Sequence, residues 1–157
     1  MSPTFIVDLD SLDLSRVVVG KEGIRQMNPQ RLEMEQIDGI LVFDIEQELI
    51  VTFKDVRADE FWVRGHIPGR PLLPGVLICE CAAQTCSYYY MRTVGHHKFL
   101  GFGGMESVKF RDEVRPGDRL LMVAKPIEIR PRISRFQTQG IVDRKLVFEA
   151  VIVGVIM

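Results

Sequence analysis

Two residues of this chain have the type and the setting for proton transfer, His66 and Glu80. His66 lies in a loop stiffened by Pro68, Pro71 and Pro74, with Gly65, Gly69 and Gly75 among them. Glu80 is the only formal charge between Arg70 and Arg92, inside a long, mainly apolar run. An imidazole titrates near neutrality and suits a general base. A carboxyl group inside an apolar helix is costly as an anion, so burial favours its neutral, proton-donating form. A stiff loop that brings a histidine to the start of such a helix is therefore an acid/base arrangement. The plainer alternative is a core helix whose Glu80 is satisfied by Gln84, one turn on and on the same face. If the site is chemical, Gln84 orients Glu80. The amides of Gly75 and Val76, unpaired in the first turn, then face developing negative charge with the helix dipole behind them.

These groups need a helix and a frame to hold them. Pro74 suits the first residue of a helix, where its missing N–H costs nothing. From Gly75 to Val94 no Gly or Pro intervenes, which predicts a buried helix about 30 Å long. A membrane span is excluded by the short uncharged runs around Glu80 and by Gln84, Thr85 and Ser87. Strands are expected at Ile37–Ile45 and Glu48–Val56, joined tightly at Glu46-Gln47, and at Ser107–Asp112, Arg119–Arg130, Ser134–Val142 and Lys145–Met157. Pro126 implies a bulge or a local edge in its strand. Residues 22–28 read as a short helix stopped by Pro29, and 1–23 as a lead-in of open role, in which Phe5-Ile6-Val7 and Val17-Val18-Val19 are short strands or packing anchors. Gly101–Gly104 follows no βαβ pattern and reads as a tight bend beside the long helix. His96-His97 reads as a solvated turn. About six strands around one helix, without a βαβ repeat, make a single α+β domain over residues 1–157.

The ordered string His66-Ile67-Pro68-Gly69-Arg70-Pro71-Leu72-Leu73-Pro74-Gly75-Val76-Leu77-Ile78-Cys79-Glu80, followed by Ala83-Gln84, resembles the signature of the (3R)-3-hydroxyacyl-acyl-carrier-protein dehydratases of type II fatty acid synthesis. The resemblance covers roughly residues 24–157 and extends to Val108–Arg111 and Val114–Asp118. It implies a hot-dog fold, in which a curved antiparallel sheet wraps a long helix. It assigns catalysis to His66 and Glu80 and thioester binding to the Gly75 amide, with Val76 beside it and with Leu72 and Gln84 in support. It implies no cofactor and no metal. It further implies a homodimer, or a trimer of dimers, in which His66 of one subunit faces Glu80 of the other. Relatives that also isomerise the double bond carry Asp where this chain has Glu80, which points to the plain dehydratase branch. One stretch departs from the pattern. Where the family usually has Leu-Pro-His-Arg-Tyr-Pro, this chain has Met27-Asn28-Pro29-Gln30-Arg31-Leu32, with Gln30 for the usual His and Leu32 for the usual aromatic, so the acyl-tunnel entrance differs. A hot-dog thioesterase, a coenzyme-A-linked hydratase and a non-catalytic acyl-binding domain are the competing readings.

Composition is that of an ordinary globular protein, 46% hydrophobic and 26% charged over 157 residues. The opening residues lack the basic and apolar regions of a signal peptide, so a cytoplasmic site of action is expected. Cys79, Cys81 and Cys86 all fall on the helix, where Cys79 and Cys81 point apart and cannot share a metal. They read as small buried hydrophobes in a reducing compartment. Charge is uneven: residues 1–60 carry a net −7 and residues 61–157 a net +6. With no aromatic-interleaved basic run, nucleic acid is not the expected partner. Acidic acyl carrier protein is, docking on basic residues among Lys109, Arg111, Arg130, Arg132 and Arg135.

Overall fold

The computed structural model describes residues 4–95 and 98–157. His96-His97, expected as a solvated turn, lies outside the described residues. The elements are α1 (Lys21–Arg25), β1 (Gly39–Asp44), β2 (Leu49–Asp55), α2 (Gly75–Val94), β3 (Leu100–Phe110), β4 (Arg119–Ile129), β5 (Ile133–Val142) and β6 (Lys145–Ile156). The strands form one antiparallel sheet in the order β1-β2-β4-β5-β6-β3. Its strands β2 to β6 all touch α2, so the sheet wraps the helix as a hot-dog fold does.

α2 begins and ends where local chemistry dictates. Pro74, extended at ψ 135°, is its N-cap rather than its first residue, and Gly95 closes it at φ 69°. That left-handed conformation favours glycine. Between them Ile78, Ala82, Thr85, Cys86 and Tyr89 are buried against Ile50, Met122, Phe136, Phe148 and Ile152 of the sheet. Polar ties add register: the Thr52 and Thr85 hydroxyls lie 2.7 Å apart, and Thr85 also donates to the Cys81 carbonyl. Gly75 permits the close start. A Cβ there would sit 2.9 Å from the Phe110 ring.

Two expectations change. Strand β3 starts at Leu100, seven residues before the expected Ser107, so Gly101–Gly104 is strand and not a bend. Gly103 serves packing: a Cβ there would meet the Val155 side chain at 2.5 Å, and the register shifts between Phe102 and Gly104. The expected helix over 22–28 is α1, ending at Arg25. In the lead-in, Phe5–Val7 are packing anchors, one of the two readings. Phe5, Ile6, Val7, Leu12 and Leu14 pack with buried Leu9 over Leu49, Val51, Val123, Ile141 and Leu146, on the sheet face away from α2. Gln139 holds this strap, accepting from the Ile6 amide at 2.8 Å and donating to the Thr4 carbonyl at 2.9 Å.

Pro126 meets both of its expected conditions. The β2–β4 pairing ends at Ile50↔Ala124, just before it, and the β4–β5 register shifts between Pro126 and Glu128. The two sheet edges differ. Near β1, Val18 and Val19 bond to Ile40 and cover part of the edge. Along β3 the outer edge carries exposed Phe102, Met105 and Phe110.

Candidate active site

The loop before α2 is anchored inside and open outside. Trp62 is buried, and its carbonyl accepts the His66 amide at 2.7 Å. The His66 ring then turns back, its Nδ1 lying 2.8 Å from the Leu72 carbonyl. A carbonyl only accepts, so Nδ1 carries a proton, and when the ring is neutral its lone pair is on Nε2. Leu72 thus fixes the tautomer through its backbone. Leu73 donates to the Val114 carbonyl at 2.7 Å and ties the end of the loop to the segment after β3. At the helix start, Leu77 and Ile78 both donate to Pro74. The Gly75 and Val76 amides have no acceptor among the described residues, and Val76 is 73% exposed.

Glu80 is only half-buried, less enclosed than an all-round apolar helix implies, because it lies at the rim of a cleft. Its Oε1 accepts from Gln84 Nε2 at 2.9 Å. Gln84 is itself 2% exposed and fully engaged. Its Nε2 donates to the Met34 carbonyl at 2.6 Å, its Oε1 accepts the Gln36 amide at 2.9 Å, and its own carbonyl accepts from Asn28. The segment that departs from the family pattern is thereby pinned to the helix position behind Glu80. Leu32, in place of the usual aromatic, is 80% exposed at φ 56°.

The cleft, about 110 Å³, runs along α2 from Glu80 past Ala83, Cys86 and Ser87. Its other wall is Phe99–Phe102 with Ser134 and Ile152–Gly154. Gln30 also lines it, and the Gln30 Oε1 is buried without a hydrogen-bond partner. This apolar slot with a carboxylate at one end can take an alkyl chain and protonate or deprotonate its head. Burial pushes the Cys86 thiol well up, so it is an inert wall. Sequence reasoning missed the Phe99–Phe102 wall because the glycines there read as a bend. His66 is not among the residues lining this cleft. Glu80 and Gln84 are bonded within one chain, whereas neither His66 nor the Gly75 and Val76 amides line the cleft that Glu80 enters.

The basic candidates fall at opposite ends of the sheet. Lys109 and Arg111 lie at the end of β3 that meets the start of α2. Arg130, Arg132 and Arg135 lie at the β4–β5 hairpin, against the end of α2, where Tyr90 donates to the Arg130 and Pro131 carbonyls. Arg111 is bonded to Glu149, Arg130 to Glu128 and Arg135 to Glu106. Among the described residues Lys109 and Arg132 form no ion pair.

A family model for the FabA-like domain matches residues 28–151, a span that includes His66, Gly75 and Glu80. The chain belongs to the FabA-like family. Among curated FabA-like relatives, the 3-hydroxyacyl-acyl-carrier-protein dehydratase FabZ of Streptococcus pneumoniae (strain Hungary19A-6) is 35% identical over 126 residues, covering 80% of this chain and 89% of the relative. Solved structures share the fold at low identity. The dehydratase heterocomplex ApeI:P from Xenorhabdus doucetiae aligns with TM-score 0.72 at 11% identity, over 85% of this chain and 90% of that one. The Escherichia coli PaaI protein of the phenylacetic acid degradation operon aligns with TM-score 0.59 at 14% identity, over 75% and 78%. The strap before residue 28 lies outside the family match. No described helix is long and apolar enough to cross a membrane.

Proposed function

We propose that this protein removes water from (3R)-3-hydroxyacyl-acyl-carrier-protein, giving the trans-2-enoyl product in fatty acid biosynthesis. The observation that carries the reading is the similarity to FabZ across a span that includes both His66 and Glu80. His66 Nε2 takes the C2 proton, and Glu80 gives its proton to the departing C3 hydroxyl, which leaves as water. The Gly75 and Val76 amides hold the negative charge that builds on the thioester oxygen. Each such donor is typically worth about 3 kcal/mol of barrier. Gln84 keeps Glu80 turned into the cleft, and the alkyl chain lies between α2 and β3. No cofactor enters these steps. Burial of all three thiols as free cysteines supports a reducing, cytoplasmic site of action.

Each site is assembled from two chains. β3 is an open edge with exposed Phe102, Met105 and Phe110, and two such edges can pair about a two-fold axis. Antiparallel pairing lays the Leu100 end of one β3 beside the Phe110 end of the other. The first end walls the Glu80 cleft; the second abuts the helix start and its His66 loop. The same operation brings the Arg130–Arg135 hairpin of one subunit toward Lys109 and Arg111 of the other. This supports one basic rim around the site, suited to an acidic carrier protein.

The test supplies (3R)-3-hydroxyacyl carrier protein and its coenzyme A analogue, following enoyl formation and free-thiol release together. The expected result is enoyl product with no thiol released. Thiol release without enoyl would move the protein to the thioesterases, and neither product would refute the assigned chemistry.

A further inference from the structure

Beneath the His66 loop lies an ion pair cut off from water. The Lys54 and Glu60 side chains are 3% and 6% exposed, and Lys54 Nζ lies 2.6 Å from Glu60 Oε1. Lys54 lies near the end of β2, in register with Leu120 of β4. It points to the α2 side, as Thr52 does two residues earlier. The neighbourhood is dry: burial pushes the nearby Cys81 thiol up to about 12, against the pull of Lys54.

Glu60 is the hub of the loop that follows. Its second oxygen, Oε2, accepts the Arg57 amide at 2.9 Å, and its carbonyl accepts the Val63 amide at 3.1 Å. Two residues on, Trp62 is buried and its carbonyl holds the His66 amide. Covalent and hydrogen-bonded links thus run unbroken from β2 through Lys54 and Glu60 to His66. A buried ion pair is rarely a better stabiliser than two apolar side chains of the same size. Apolar replacements would fill the space but could not hold the Arg57 amide or fix the direction in which the turn leaves the sheet. We propose that Lys54 and Glu60 are positioning residues for His66, setting where its Nε2 lies relative to the substrate. The proposal rests on the reading of His66 as the base.

The test separates stability from positioning. Lys54→Met and Glu60→Met each leave one buried charge unpaired and lower the melting temperature. The double variant, with both charges gone, is expected to regain most of that loss. Its kcat is nevertheless expected to stay down by about tenfold to a hundredfold, the scale of a catalytic group misplaced by about 1 Å. KM should move less than about threefold, since the cleft walls are untouched. Hydrogen exchange at the Trp62–His66 amides should quicken while α2 stays protected. A double variant with wild-type stability and wild-type kcat would overturn the proposal. If that variant does not fold, Glu60→Gln decides: it keeps an acceptor for the Arg57 amide but weakens the Lys54 tie. It should show the faster loop exchange and a reduced kcat, and unchanged values for both overturn the proposal. His66→Ala is run alongside. Full turnover by that variant would discard His66 as the base, a failure distinct from that of the positioning claim.

Discussion

Replacing Gln84 with Leu probes the joint between the altered 28–36 segment and the acid. The side chains are close in size, so the change removes hydrogen bonds more than packing. Three partners lose their contact: the Gln36 amide, the Met34 carbonyl and Glu80 Oε1. Glu80 is half-buried and can turn to water, whereas Gln36 is only 1% exposed and its amide cannot. A buried group left unpaired costs about 1–3 kcal/mol, so the fully dry amide and the partly shielded carbonyl together imply about 2–4 kcal/mol. For a chain of this length each kcal/mol moves the melting temperature about 2–4 °C, giving a drop of about 5–15 °C. Thermal unfolding followed by circular dichroism reads it. Turnover at a temperature where the variant is folded should fall about tenfold, because Glu80 has lost the donor that aims it. A drop below about 2 °C would refute the hydrogen-bond accounting. Full turnover in a destabilised variant would instead reduce Gln84 to a structural residue.

Glu80→Gln keeps an oxygen for Gln84 to bond and loses the transferable proton, so a normal unfolding curve is expected with turnover lower by about 10²-fold or more; a folded variant with wild-type rate contradicts the assignment. Hydrogen bonds from Arg25, Arg119 and Arg111 hold the carboxyls of Glu35, Asp55 and Glu149 below their ordinary values. Lowered carboxylates stabilise fully above the unfolded-state value and lose that contribution as pH falls through the folded one. The melting temperature should therefore stay level from neutrality to about pH 5 and fall below about pH 4, more shallowly in Arg25→Met. Charge reversal at Lys109 and Arg132, the two candidates without ion pairs, should lower kcat/KM for the carrier-linked substrate more than for the coenzyme A analogue, with the difference shrinking in salt; equal losses would remove docking from these residues.

How much of this was legible in the sequence differs between elements. The helix was readable to its ends because Pro74 and Gly95 punctuate it and nothing breaks the run between them. The Glu80–Gln84 contact followed from helical spacing alone. The first half of β3 was not readable. Gly101, Gly103 and Gly104 erase the alternation that marks a strand, and the need for one of them, Gly103 beneath the Val155 side chain of β6, exists only in three dimensions. The strap was read as a lead-in because Phe5, Ile6, Val7, Leu9, Leu12 and Leu14 make no regular period; they meet an apolar sheet face, not a helix. Lys54 left a faint signal, a lysine following Leu49-Ile50-Val51-Thr52-Phe53 in an inward register, but its partner Glu60 lies in a loop whose path sequence does not disclose. That His66 does not line the Glu80 cleft of its own chain was not visible from spacing either, since the two are only fourteen positions apart.

The absence of His66 from that cleft makes subunit mixing the most direct test of the proposal that His66 and Glu80 from two chains form one site. His66→Ala and Glu80→Gln chains, each inactive as a homodimer, are co-expressed with different tags and the heterodimer is purified, its composition checked by mass. In a shared-site dimer one site collects both substitutions and the other collects neither, so turnover should return to roughly half the wild-type value per dimer. A heterodimer of confirmed composition that stays inactive would contradict the account, because each site would then draw both residues from a single chain.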